Sequence, residues 1–264
     1  MPTTLSSPAV TSLSQLTKLV EERLEDPERT LWFRGCAKFG DHTLRASLYR
    51  HPTYTTIEQF VDLENRMLAR FRQRSIPFVE RSLTDDWERL FFMQHFRIPT
   101  RLLDWTENPF VALHFALSDV TAAGDAAVWM LDPIEWNRKA LAHISFDEGV
   151  LSVGDQRLDG YAPGTIDVDT LGNDPVAIYG FYNSARIVAQ RGVFTISGKD
   201  TSKMEETYIN NSYPQDCLTK IRIAAADKQP MLTRLFRMGF THSAIFPDLE
   251  GLAREMRNVF RFEG

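Results

Sequence analysis

Arg34 is the first residue along the chain whose setting suggests chemistry. It follows Leu31, Trp32 and Phe33 and precedes Gly35, so a charged side chain ends a short aromatic run that reads as a buried strand. A guanidinium there can grip a phosphate through two parallel N–H donors, or it can close a structural ion pair, with Glu64 as the candidate partner. Gly35 would let backbone or ligand come close. Further on, Arg101, Asp104 and Thr106 stand among apolar residues, on a strand or just past its end. Asp104 has the chemistry of a general base or a ribose-orienting acid. Trp105 is either a stacking platform or a core aromatic with a bonded indole. Thr106 is either a site hydroxyl or the cap of the next helix. Gln94 and His95 close a helix, as site residues or as its polar end. His114 shares a stripe with Phe110 and Leu117 and reads as a satisfied core histidine. Asp248 reads as a helix cap, with a site role as the alternative.

Other chemistries find little support. The six histidines form no His-x-x-x-His or His-Cys cluster, so no metal site is expected. Asp167-Val168-Asp169 lacks the rest of a calcium loop. Neither a Gly-x-Ser-x-Gly elbow nor a phosphate loop ending in Gly-Lys-Ser/Thr occurs. Cys36 would need a histidine beside it to act as a nucleophile, and Cys36 and Cys217 match no disulfide framework. The net charge of −5 argues against a nucleic-acid partner, because phosphate backbones need a basic surface. Residues 1–110 carry 15 basic and 15 acidic side chains, whereas 140–180 carry one Arg against seven acids. The N-terminus shows neither a charged nor an apolar signal region, and no apolar run approaches a membrane span. A cytoplasmic protein without membrane contact is expected.

The elements that would position these residues are readable from periodicity. Helices are expected over 11–26, 57–73, 85–95 and 109–118, the last apolar nearly all round and therefore buried. Glu64 falls on the apolar stripe of the second helix and requires a cationic partner. Strands are expected over 30–35, 100–105, 127–131, 176–181, 186–190, 193–197 and 221–225. The pair 186–190 and 193–197 reads as a hairpin turning at Arg191-Gly192. A helix over 229–238 should end at Gly239. A short strand over 243–246 and a helix burying Leu249, Leu252 and Met256 should follow. Residues 140–175, rich in Gly and Asp, read as an acidic insertion or flexible loop. The pattern is α+β: a single domain with a mixed central sheet flanked by helices.

Five blocks carry a family resemblance: Leu31-Trp32-Phe33-Arg34-Gly35; Gln94-His95-Phe96 with Pro99-Thr100-Arg101-Leu102-Leu103-Asp104-Trp105-Thr106; Ala112-Leu113-His114-Phe115-Ala116; Arg186-Ile187-Val188-Ala189-Gln190-Arg191-Gly192-Val193-Phe194-Thr195; and Phe246-Pro247-Asp248-Leu249-Glu250-Gly251-Leu252. Together they resemble the FRG domain, giving an N-terminal helical segment over 1–29 and an FRG-like domain over 30–264. A weaker likeness is to ADP-ribosyltransferases. Phe33-Arg34-Gly35 matches their first-strand arginine, but Gln190 stands where they place a catalytic glutamate.

These resemblances imply an NAD-type nucleotide pocket at the strand ends, with NAD as substrate for ADP-ribosyl transfer or NAD cleavage. Arg34 would hold pyrophosphate, with Arg101 in the same ligand-binding set. Trp105 and Phe115 would line the base or nicotinamide slot, Thr106 and Gln190 would contact ribose, and Asp104 would serve as the acid. Arg34, Asp104 and Gln190 form the catalytic set in this reading. A bacterial toxin or phage-defence effector acting on a protein target is its biological form. The alternative is a non-catalytic nucleotide-sensing or protein-interaction module.

Overall fold

Side-chain caps fix many of the helix starts. Thr56 and Gln59 form a reciprocal capping box, Asp85 accepts from Glu88 N, and Asn108 and Asp132 each precede a proline at the first helical position. The computed structural model describes residues 3–40, 44–79, 82–119, 122–164, 166–181 and 184–262. Its elements in chain order are β1 (Ala9–Val10), α1 (Leu13–Arg23), β2 (Trp32–Cys36), α2 (Ile57–Arg74), α3 (Asp86–His95), β3 (Leu102–Thr106), α4 (Pro109–Leu117), β4 (Ala126–Leu131), α5 (Pro133–Ala140), β5 (Leu151–Ser152), β6 (Val176–Tyr179), α6 (Ala185–Gln190), β7 (Gly192–Ile196), α7 (Met204–Asn210), β8 (Leu218–Ile223), α8 (Ala225–Arg237), α9 (His242–Ile245) and α10 (Leu249–Val259). Among the described residues, no helix is long and apolar enough to cross a membrane.

The strands form one mixed sheet in the order β1-β8-β4-β2-β3-β7-β6-β5, parallel only at its two edges. This is the expected α+β architecture, a mixed sheet flanked by helices. Alternation along the strands sorts side chains to two faces. Phe33, Val128, Met130 and Ile221 pack with α1, α4 and α8. Trp32, Trp129, Leu103 and Trp105 pack on the other face with Trp136 of α5 and with Met204 and Tyr208 of α7. Gly35 brings α4 hard against β2: a Cβ there would lie 1.8 Å from the Ala112 carbonyl oxygen.

Several expectations are corrected. Residues 186–190 are helix α6, not a hairpin strand. The β-branched Ile187 and Val188 suggest a strand, but Ser184 caps the segment and Arg191 ends it with φ +46°. Residues 243–246 fall largely in α9, which starts at the Thr241 cap. The apolar stripe of α10 is not buried. Leu249, Leu252 and Met256 are exposed, because the helix packs instead through Gly251 against Phe246. The acidic stretch over 140–175 is not a loose loop. It forms two 3-10 turns and β5, and buries Phe146, Leu151, Leu158, Tyr161 and Leu171 against β6 and β7.

Glu64 has a cationic partner, as its place on the apolar stripe requires, but the partner is Arg101 and not Arg34. Arg101 Nε donates to Glu64 Oε2 at 2.9 Å, with both side chains 1 % exposed. The same guanidinium donates to the Ser197 and Tyr161 carbonyls at 2.9 and 2.8 Å. Because α2 lies across the start of β3, its carboxylate meets Arg101 there. Removing the cation strands a buried carboxylate, so Arg101→Met should lower stability in urea denaturation by about 3–5 kcal/mol. Adding Glu64→Leu should recover about 1 kcal/mol or more of that loss; strict additivity of the two changes would exclude the pair as a coupled unit.

Candidate functional site

β2 and β3 are neighbours but hardly paired: Phe33 and Thr106 are their only register partners. Beyond that pair the strands part, and β2 continues its ladder with β4 alone. A cavity of about 300 Å³ occupies the opening, with walls from β2, β3 and β7 and from α3, α4 and α6. Alternation explains what faces it. Asp104 and Thr106 point to the α3–α4 face, whereas Trp105 points to the opposite core. Arg34 lies on that opposite face by parity with Trp32, and its Nη1 reaches into the gap to donate to the Asp104 carbonyl at 2.5 Å.

The polar groups of the wall are held in place. Thr100 Oγ1 donates to Gln94 Oε1 at 2.5 Å, which turns the Gln94 amide nitrogen toward Asp104 Oδ2 at 2.7 Å. Asp104 itself is exposed toward the cavity. Gln190 Nε2 donates to the Ile245 carbonyl at 3.1 Å, and Thr106 Oγ1 donates to the Gln190 carbonyl at 2.5 Å. The α4 cap is Asn108, whose backbone N–H donates to Thr106 Oγ1 at 3.0 Å, so Thr106 braces the cap without being it.

Positive charge gathers at the rim between α3 and α6. Arg97 follows α3 with φ +61°, and Arg186 opens α6 with its guanidinium 4.6 Å from the centre of the Phe246 ring. Burial and then the Arg97 charge lower the Arg186 pKa, against the pull of Asp104, Asp248 and Glu250. Burial, followed by the Arg186 charge, also lowers the His95 pKa, against the pull of Asp104 and Asp248. Phe91, Phe115, Phe194 and Phe33 supply the apolar walls.

Arg34, Asp104, Trp105, Thr106, Phe115 and Gln190 are therefore brought to one cavity. Arg101 is not; it is buried in its ion pair with Glu64. Trp105 sends its indole N–H to Thr195 Oγ1 at 3.1 Å, the bonded core aromatic that sequence weighed against a stacking platform. Asp248 caps α10 through Gly251 N. Sequence reasoning missed Arg97, Arg186, Phe91 and Phe194 as wall residues. Arg186 and Phe194 sit inside one of the family-like blocks, which was the available signal.

With this geometry in hand, comparison with known proteins adds one assignment. A family model described as the FRG domain matches residues 29–124, so the chain carries an FRG domain over that stretch. It covers β2, α3, β3 and α4, which build much of the cavity wall. No curated protein and no solved structure matches the chain.

Behind the wall, His114 departs from expectation. It is a core residue, but not a satisfied one: neither ring nitrogen has a hydrogen-bond partner among the described residues. Burial, with the His242 ring centroid 5.0 Å away, pulls its pKa from 6.5 down to about 4. The unfolded chain therefore takes up this proton first as pH falls. The folded state loses the corresponding stability from about pH 6.5 downward, a loss of order 3 kcal/mol once pH 4 is passed. His114→Phe should remove this dependence. Relative to wild type it should gain about 2–3 kcal/mol in chemical denaturation on going from pH 7 to pH 4.5. A difference independent of pH would mean that His114 does not titrate in this range.

Proposed function

We propose that the cavity binds a nucleotide-type ligand of the NAD class, with its aromatic group against the phenylalanine walls and its phosphate on the rim and gap arginines. The observation that carries this reading is the pattern of arginine pairing. Arg23, Arg29, Arg89, Arg101 and Arg157, all at least half-buried, each close on a carboxylate. Arg34 and Arg186 are half-buried too, yet neither makes a salt bridge among the described residues, and both line the cavity. Partly desolvated guanidiniums that close no salt bridge favour an anionic ligand.

The volume sets a size. About 300 Å³ lies at the lower end of ligand pockets, enough for one nucleoside with its phosphate toward the arginines. The polar groups favour binding over turnover. Gln190 and Thr106 are spent on main-chain bonds, and Asp104 is the only carboxylate in the described wall. The reading preferred here is thus a nucleotide-sensing module. One observation keeps NAD cleavage or ADP-ribosyl transfer as a second reading. Asp104 presents an exposed carboxylate, oriented by Gln94, in the wall that His95 also lines, an arrangement able to steer a ribose or accept a proton. A toxin or phage-defence effector would use that form of the activity.

Thermal-shift measurements should detect NAD or ADP, and saturation at ~100 times Kd should add about 2.7 kcal/mol. Arg97→Gln/Arg186→Gln should abolish the shift while leaving the unliganded melting curve in place. Release of nicotinamide from NAD would favour the second reading, and its complete absence under saturating binding the first. No shift with any nucleotide would sink both.

A further inference from the structure

Thr100 is fully buried just before β3, and its main chain is tied down on both sides. Ser47 Oγ accepts from Thr100 N at 3.0 Å, and Leu48 N donates to the Thr100 carbonyl at 3.0 Å. Its Oγ1 accepts from Leu102 N at 3.1 Å, which leaves the hydroxyl proton for Gln94 Oε1 at 2.5 Å. A hydroxyl has one proton to give, so the Gln94 carbonyl oxygen is fixed toward Thr100. The amide nitrogen at the other end then meets Asp104 Oδ2 at 2.7 Å. Turning the amide over would set its oxygen against a carboxylate and its nitrogen against a donor.

The relay ends at the cavity. Leu90, Phe91 and Met93 are the buried side of α3, and Gln94 stands in the wall beside Asp104. Asp104 is exposed toward the opening, and its carboxylate takes no hydrogen bond besides the one from Gln94 among the described residues. Its second oxygen is therefore open to a ligand. A carboxylate accepts hydrogen bonds and gives none, so the group it takes up is a donor. The rim arginines favour an anionic ligand, which makes that donor a neutral one, and a sugar hydroxyl meets both conditions. The other wall groups suited to a sugar, Thr106 Oγ1 and Gln190 Nε2, already donate to main-chain carbonyls.

We infer that Asp104 reads the vicinal diol of a ribose, and that Thr100 and Gln94 are positioning residues that hold its carboxylate for this contact. The cavity thereby selects ribonucleotides over their deoxy forms. The inference rests on the nucleotide reading for the base and phosphate; the diol contact itself needs only the sugar. A vicinal diol presents two donors side by side, and a carboxylate whose other oxygen is already engaged meets them without turning. An analogue lacking one hydroxyl leaves the enclosed acceptor short of a partner, which is what makes a hydroxyl-reading site selective.

The test is calorimetric titration of the full chain with AMP, 2′-deoxy-AMP, ribose 5-phosphate and 2-deoxyribose 5-phosphate. Wild type should bind AMP about tenfold or more tighter than 2′-deoxy-AMP, the gain of a hydrogen bond to a charged group. Thr100→Val and Gln94→Met should each bring that ratio to within about twofold by weakening AMP alone. Thr100→Ser, which keeps the hydroxyl, should preserve it. Gln94 is half-buried in the wall, so its variant carries the test where loss of the buried Thr100 hydroxyl unsettles the fold. Variants that weaken both nucleotides equally, or neither, would overturn the positioning roles. Equal wild-type affinity for AMP and 2′-deoxy-AMP, the result of a contact to a base amino group instead, would overturn diol recognition while leaving the cavity reading intact. Preference for ribose 5-phosphate over its deoxy form, in a chain that binds neither nucleotide, would establish the diol contact and remove the nucleotide reading. A wild-type chain that binds none of the four overturns both.

Discussion

The guanidinium of Arg101 ties α2 and the acidic stretch, which have no backbone ladder to β3, to the paired start of β3 and end of β7. One planar cation joins Glu64 of α2, the Ser197 carbonyl beyond β7 and the Tyr161 carbonyl of the acidic stretch. Arginine suits this task because its donors form a fixed fork. Such a pair adds little net stability over a well-packed apolar pair, but it is costly to break and specific in geometry. That geometry pins the first residues of β3. Side chains on a strand alternate strictly, so pinning the start decides what faces the cavity. In the observed register Asp104 and Thr106 face α3 and α4 while Leu103 and Trp105 enter the aromatic core. A slip by one residue would bury Asp104 against Trp129 and leave Trp105 in the opening.

The opening itself follows from close packing of α4 on β2. With no Cβ at Gly35, α4 lies against the strand, and its wall residues Ala112 and Phe115 face the gap. The sheet keeps its continuity at Phe33 and Thr106 and gives up further β2–β3 pairing. Backbone groups freed by the parting must be satisfied elsewhere, and the Asp104 carbonyl is taken by Arg34. A residue that reads as a phosphate clamp is thus also a structural brace, and only part of its donor set is left for a ligand.

How much of this was legible in the sequence depends on whether local or distant contacts decide. The helices at 57–74 and 109–117 and the strand at 102–106 announce themselves by period and cap, and the structure places them within a residue or two. The grouping of Arg34, Asp104 and Gln190 followed from blocks shared with a family, not from any local rule. What failed was decided at a distance. Arg101 takes Glu64 because α2 crosses the start of β3, which no spacing reveals. Ile187 and Val188 look like a strand because β-branched residues favour one, but Ser184 and Arg191 delimit a helix there. The stripe of α10 is periodic enough to predict burial, yet Gly251, not Leu249 or Met256, makes the contact. Arg97 and Arg186 reach the rim through a left-handed residue and a short helix, neither of which has a strong sequence signature.

The distribution of commitments among polar groups separates a binding site from a reactive one. Catalysis by acid, base or cation stabilisation requires groups aimed at atoms whose charge changes during reaction. Here the amide of Gln190 and the hydroxyl of Thr106 are aimed at main-chain carbonyls, where they brace α9 and the loop before α4. Freeing them would cost the fold the bonds that shape the cavity. The cationic groups are arranged in the opposite way. Arg97 and Arg186 line the cavity and make no side-chain hydrogen bond among the described residues, so engaging an anion breaks no hydrogen bond there. Binding charge therefore asks for no rearrangement, whereas turning over a ribose would fall to Asp104 alone. A wall whose hydrogen-bonding groups are fixed and whose rim cations are unspent favours, on the reading proposed above, binding of an anion over reaction on it.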